Sequence, residues 1–161
     1  MTGIDFLARF LATGTLNGVG IGADLATVDV AMPEEHVDVV DEENVSLRRD
    51  YGLIEIFFND GPDWNVVGAS VEVHRLASPT TRGKRRRTSH GLEFPRYVPW
   101  REIEAALKKL PAPPVLEVKT DQDGYVEYRS VDTRVSVLVV DSGEERDDWP
   151  GQGDVFSIAL G

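Results

Sequence analysis

Residues 45–76 read VSLRRDYGLIEIFFNDGPDWNVVGASVEVHRL, and the period of their apolar positions decides the fold class. Val45, Leu47 and Arg49 alternate with Ser46 and Arg48 into Asp50-Tyr51-Gly52, and Leu53 to Phe58 is a dense run of β-branched and aromatic residues. Such side chains fit a pleated, packed surface. Asn59 to Asp63 is a turn by composition. Beyond it Val67, Ala69, Val71 and Val73 alternate with Gly68, Ser70, Glu72 and His74 as far as Leu76. A period of two puts these sets on opposite faces, which predicts an antiparallel hairpin with one wet face.

Working outward, Ile4, Leu7 and Leu11 share a helical stripe that Thr13-Gly14 can stop, so residues 4–12 read as a helix. Val19 and Ile21 alternate with glycines as a short strand, and Asp24 can cap a helix through Ala31, which Pro33 halts. Residues 77–92, ASPTTRGKRRRTSHGL, lack apolar periodicity and read as a flexible basic loop. Pro99 precedes a helix over residues 100–110, acidic early and basic late as the helix dipole favours. Strands follow at 115–119, 125–129, 134–140 and 154–160, with a turn at 120–124 and an acidic loop at 141–153. No internal repeat is evident. The sum predicts one α+β domain over residues 1–161, a mostly antiparallel twisted sheet of about six or seven strands with three helices.

The chain has 161 residues, 28 acidic against 17 basic, and a formal charge of −11. That field repels phosphate backbones and attracts basic surfaces, which argues against nucleic acid and for a basic protein as partner. With no cysteine, disulfides and thiol chemistry are excluded, and a cytoplasmic setting is expected. Residues 1–14 carry Asp5 and Arg9 among their apolar positions, unlike a secretory signal. No apolar stretch nears the roughly 20 residues of a membrane span, so no membrane partner is expected. The acid is clustered: Glu34, Glu35, Asp38, Asp41, Glu42 and Glu43 form one group, and Asp141, Glu144, Glu145, Asp147 and Asp148 a second, with Trp149 beside it. Against them stand Arg82, Lys84, Arg85, Arg86 and Arg87. This run reads as a solvated loop, with a contact to an acidic segment of the same or another copy as the alternative.

Gly18, Gly20 and Gly22 suggest a phosphate cradle, but G-x-G-x-G after an amphipathic helix fits neither the dinucleotide fingerprint nor the P-loop. They read as a turn. His36, His74 and His90 lack metal-ligand spacing, although Glu72 and His74 lie two apart on one strand face. Asp121-Gln122-Asp123-Gly124 resembles a fragment of a calcium loop without its distal glutamate, and no G-x-S-x-G elbow occurs. Catalytic residues, metal and cofactor are therefore all read as none. Of the three tryptophans, Trp100 reads as core and Trp149 as an exposed recognition residue.

The stretches LRRDYGLIEIFF, WNVVGASVEVHRL, VPWREIEAALKKL and GDVFSIAL, with Asp50-Tyr51-Gly52, Val73-His74-Arg75-Leu76, Pro99-Trp100 and Gly153-Asp154-Val155, resemble small acidic actinobacterial proteins classed as immunity proteins of polymorphic toxin systems. The basic loop stands as an insertion in that pattern. The resemblance implies a cytoplasmic, non-enzymatic protein that neutralises a cognate toxin, often a nuclease, and it carries no catalytic residues. An acidic surface that mimics phosphate agrees with it. The expected contacts are Glu34, Glu35, Asp38, Asp41, Glu42 and Glu43, or Glu144, Glu145, Asp147 and Asp148 with Trp149. Two other classes stay open: a small-ligand or enzymatic domain with a pocket between helices and sheet near His74, and a domain with a homotypic interface.

Overall fold

Thr2 and Asp5 start the first helix by satisfying each other. The Thr2 hydroxyl accepts from the Asp5 amide at 3.1 Å, and the Asp5 carboxylate accepts from the Thr2 amide at 3.1 Å. This reciprocal cap begins α1 (Gly3–Thr13), which ends when Gly14 turns left-handed at φ 70°. Asp24 caps α2 (Leu25–Ala31) by accepting from the Thr27 amide at 2.8 Å. The computed structural model describes residues 1–60, 62–120 and 123–161. Gly61, Asp121 and Gln122, on which parts of two expected turns fall, lie outside the described residues.

Eight strands form one sheet: β1 (Val37–Asp41), β2 (Ser46–Asp50), β3 (Ile54–Phe58), β4 (Val66–Val71), β5 (Leu116–Lys119), β6 (Tyr125–Ser130), β7 (Val135–Val140) and β8 (Val155–Leu160). Their order is β1-β2-β3-β4-β8-β7-β6-β5, and each neighbouring pair is antiparallel. Two four-stranded meanders thus meet at β4 and β8, where Ala69 pairs with Leu160 and Val71 with Ile158. Two helices precede each meander: α1 and α2 the first, α3 (Thr81–Arg87) and α4 (Trp100–Lys108) the second.

The α+β class stands, and the element count rises to eight strands and four α-helices among the described residues. The additions are β1, inside the acidic run, and α3, inside the segment read as loop. Val19 and Ile21 form no strand; Leu16 and Val19 make an isolated bridge around a turn in which Gly18 has φ 79°. The strand expected to reach Leu76 ends at Val71, because pairing with β8 stops at Ile158. Residues Val73–Ala77 then coil into a 3₁₀ turn.

One face of the sheet carries Ile54, Ile56, Ala69, Val71, Val135, Val137, Ile158 and Leu160 into the core. Phe6, Leu7, Phe10 and Leu11 of α1 and Trp100, Ile103 and Leu107 of α4 pack over it. Each such side chain contributes roughly 2 kcal/mol by leaving water. The opposite face is polar, as expected, but partly roofed. Glu55 is buried there between Arg48 at 3.0 Å and Arg75 at 3.2 Å.

Two contacts seat α3. A Cβ on Gly83 would stand 2.0 Å from the Ser78 carbonyl oxygen, so only glycine allows this approach. Arg87 donates to the carbonyls of Leu76 at 2.6 Å and Ser78 at 3.1 Å. Among the described residues no helix is long and apolar enough to cross a membrane.

Candidate functional site

Strand β1 is a sheet edge, and all five of its residues are exposed. The pleat sets Val37, Val39 and Asp41 on one side and Asp38 and Val40 on the other. The valines are 65%, 47% and 53% exposed in chain order. Hydrophobic side chains and unpaired backbone groups therefore share one acidic edge. Arg49 of β2, nearly fully buried, ties this strand to the body. Its Nε and Nη2 donate to the two Asp38 oxygens at 2.9 and 3.0 Å, and its Nη1 donates to Asp29 of α2 at 2.5 Å. The guanidinium holds the Asp38 carboxyl below its ordinary pKa.

Asp41 closes the hairpin, accepting from the amides of Glu43 at 3.0 Å and Asn44 at 3.2 Å. The Asn44 side-chain amide also donates to it at 2.7 Å, and this bond, with the backbone ones, lowers the Asp41 pKa. Asp38 and Asp41 are thus occupied within the chain. Glu35, Glu42 and Glu43 are exposed and, among the described residues, make no side-chain ion pair.

The second acidic group lies in the β7–β8 connection. Asp148 accepts from Arg96 at 2.6 Å, and Arg146 forks onto Asp154 at 2.8 and 2.7 Å, while Glu144, Glu145 and Asp147 point to solvent. Trp149 is 46% exposed, yet its ring packs 5.2 Å from His74 and 5.4 Å from Phe156. His74 stacks on Phe156 at 4.4 Å, and burial lowers its pKa, although Glu72 lies 3.5 Å away. Four strand spacings, roughly 19 Å, separate β1 from β8, so the two acidic groups flank different strands.

Glu34 belongs to neither surface. With Glu35, His36, Asp50, Tyr51, Ser89 and His90 it lines a cavity of about 420 Å³ whose other wall is Arg82, Arg85 and Arg86 of α3. The basic run therefore faces an acidic segment of its own chain across this cavity, with no ion pair between them among the described residues. The volume falls in the range of small-molecule pockets. The His90 side chain is 2% exposed, and its Nδ1 stands 3.5 Å from Glu34 Oε1. Both His90 nitrogens and Glu34 Oε2 are buried without a hydrogen-bond partner. Tyr51 backs the cavity, donating its hydroxyl to the Met32 carbonyl at 3.0 Å, with His36 and His90 edge-on at 5.2 and 5.8 Å.

The period-two pattern of Val37-Asp38-Val39 could have revealed β1. No sequence signal joins Glu34 to His90, because α3 and the approach to β1 converge only in the fold. Among the described residues no group of three or more His, Asp or Glu side chains is placed to hold a metal ion. No family model, curated protein or solved structure was found to match the chain.

Proposed function

We propose that this chain is a non-enzymatic protein-binding domain whose partner, a basic protein, docks along the β1 edge. Toxin neutralisation by a cytoplasmic immunity-type protein is the particular case implied by the resemblance. The observation that carries the reading is the edge strand: five exposed residues, three of them valines, with no basic side chain among them. Folded proteins usually blunt such an edge with lysine, proline or a bulge, because its open backbone groups recruit another strand. Here only acid guards it, which deters acidic neighbours and admits a basic one. The net charge of −11 adds long-range attraction for the same class of partner. Glu35, Glu42 and Glu43 are the free carboxylates at this edge, and Glu144, Glu145 and Asp147 supply a secondary patch.

The test is capture of partners by the tagged full chain from its native host, at about 50 mM and about 500 mM salt. The captured protein is then purified and its affinity measured for the wild type and for the variant Val39→Lys/Glu42→Lys/Glu43→Lys, with folding checked by circular dichroism. The expected result is a basic partner released by salt and bound roughly a hundredfold more weakly by the variant. If the partner is a toxin, co-expression of this chain relieves its growth arrest. Equal affinity for both chains, or a partner that is not basic, contradicts the proposal.

A further inference from the structure

Arg82, Arg85 and Arg86 stand at i, i+3 and i+4 of α3, the spacing that lines one helix face, and all three border the 420 Å³ cavity. Lys84 is exposed outside that lining, and Arg87 is spent on the carbonyls of Leu76 and Ser78. Among the described residues none of the three cavity arginines forms an ion pair. Glu34, Glu35 and Asp50 line the same cavity, yet none of them closes onto these guanidinium groups as an ion pair, so the three cations face the cavity with their hydrogen-bonding capacity unspent on carboxylates. Partial burial and the neighbouring positive charges of Arg75 and Arg82 lower the Arg86 pKa against the opposing pull of Asp50, a net electrostatic cost that a bound anion would relieve. Asp50 offsets only part of that cost, because it makes no ion pair with Arg86 among the described residues, accepts from the Gly52 amide at 2.7 Å and lies 3.5 Å from Arg75.

The opposite wall has complementary needs. Glu34 Oε2 and His90 Nε2 are buried without a hydrogen-bond partner, His90 Nδ1 has only the long 3.5 Å approach of Glu34 Oε1, and a buried polar group without a partner costs free energy that a hydrogen-bonding ligand recovers. We propose that this cavity binds a small oxyanion-bearing molecule. Arg82, Arg85 and Arg86 hold its phosphate or carboxylate, and a hydroxyl or amino group of the same molecule bonds to Glu34 and His90. Guanidinium forks match either oxyanion, so the head group is defined here by its shared geometry. The site does not depend on the β1-edge proposal, because the isolated chain suffices to test it.

The experiment is isothermal titration calorimetry of the full chain with glycerol phosphate and with glycerate. Inorganic phosphate and sodium chloride at matched ionic strength serve as comparisons. The expected result is saturable one-to-one binding of glycerol phosphate or glycerate, and the one that binds identifies the head. That binding weakens about tenfold or more in Arg82→Gln/Arg86→Gln. It also weakens in Glu34→Ala, and the ligand shifts the His90 imidazole signals in nitrogen-correlated spectra. Arg82→Gln alone, at an exposed position of α3, is the reporter if the double variant does not fold. No saturable binding up to about 10 mM overturns the proposal, as does unchanged affinity in the arginine variants. Inorganic phosphate binding as tightly as glycerol phosphate overturns the role of Glu34 and His90.

Discussion

Replacing Arg49 tests how the acidic edge is held in place. The side chain is 5% exposed and forks onto Asp38 through bonds of 2.9 and 3.0 Å, with a third bond to Asp29. A hydrogen bond to a charged group is worth roughly 1.5–3 kcal/mol when buried. Asp38 and Asp29 are 37% and 55% exposed, so water recovers part of what each loses. We therefore expect Arg49→Met to cost about 3 kcal/mol and Asp38→Asn about 1.5 kcal/mol, with a coupling near 1.5 kcal/mol in the double variant. Urea denaturation of the four proteins at pH 7 measures this cycle, and a loss of 3 kcal/mol lowers the melting temperature by roughly 6–12 °C. A coupling below about 0.5 kcal/mol would refute the bidentate tie. It would return Asp38 to the set of free carboxylates available to a partner.

Three further perturbations follow from the same geometry. Val45, at the β1–β2 turn, has φ 46°, a left-handed conformation that a β-branched residue occupies only under strain. Val45→Gly should stabilise the chain by about 1 kcal/mol in urea denaturation, and a loss of stability would show that the turn carries no strain. Gly83→Ala drives a methyl group into the Ser78 carbonyl, which should cost roughly 1–3 kcal/mol and abolish oxyanion binding; a thermal melt like that of the wild type contradicts the seating of α3. Burial lowers the pKa of both His74 and His90, so below their unfolded value of about 6.5 the unfolded chain takes up protons first. Stability should thus be full above that pH and fall as pH drops toward the lowered native values. The urea midpoint should be lower at pH 5.5 than at pH 7.5, with a shallower dependence in His90→Gln; equal midpoints in the wild type would exclude neutral burial.

What could be read from the sequence was local. The α1 stripe of Ile4, Leu7 and Leu11, the Asp24 cap, the alternation through β2, the dense apolar run of β3 and the strand compositions of β6, β7 and β8 are signals with nearby causes. In β1 the same alternation is present, but carboxylates between the valines give it the composition of a solvated run. Helix α3 has no apolar period at all; Gly83 against Ser78 and Arg87 against two carbonyls define its place, and these are contacts across a turn. The pairing of β4 with β8 joins Val71 to Ile158 across more than half the chain, so the sheet order was not readable. The position of the cavity illustrates the same limit. His74 stacks on Phe156, while the two-walled cavity forms around His90, whose partner Glu34 arrives from the other side of the first meander.

The claim that a basic partner docks on the acidic edge is tested most directly by hydrogen exchange along β1. The amides of residues 37–41 are followed in the free chain and in complex with the captured basic protein. Docking on this edge slows exchange across the strand in the complex and leaves β6 unchanged. Exchange that stays as fast at residues 37–41 while the partner is bound would contradict it.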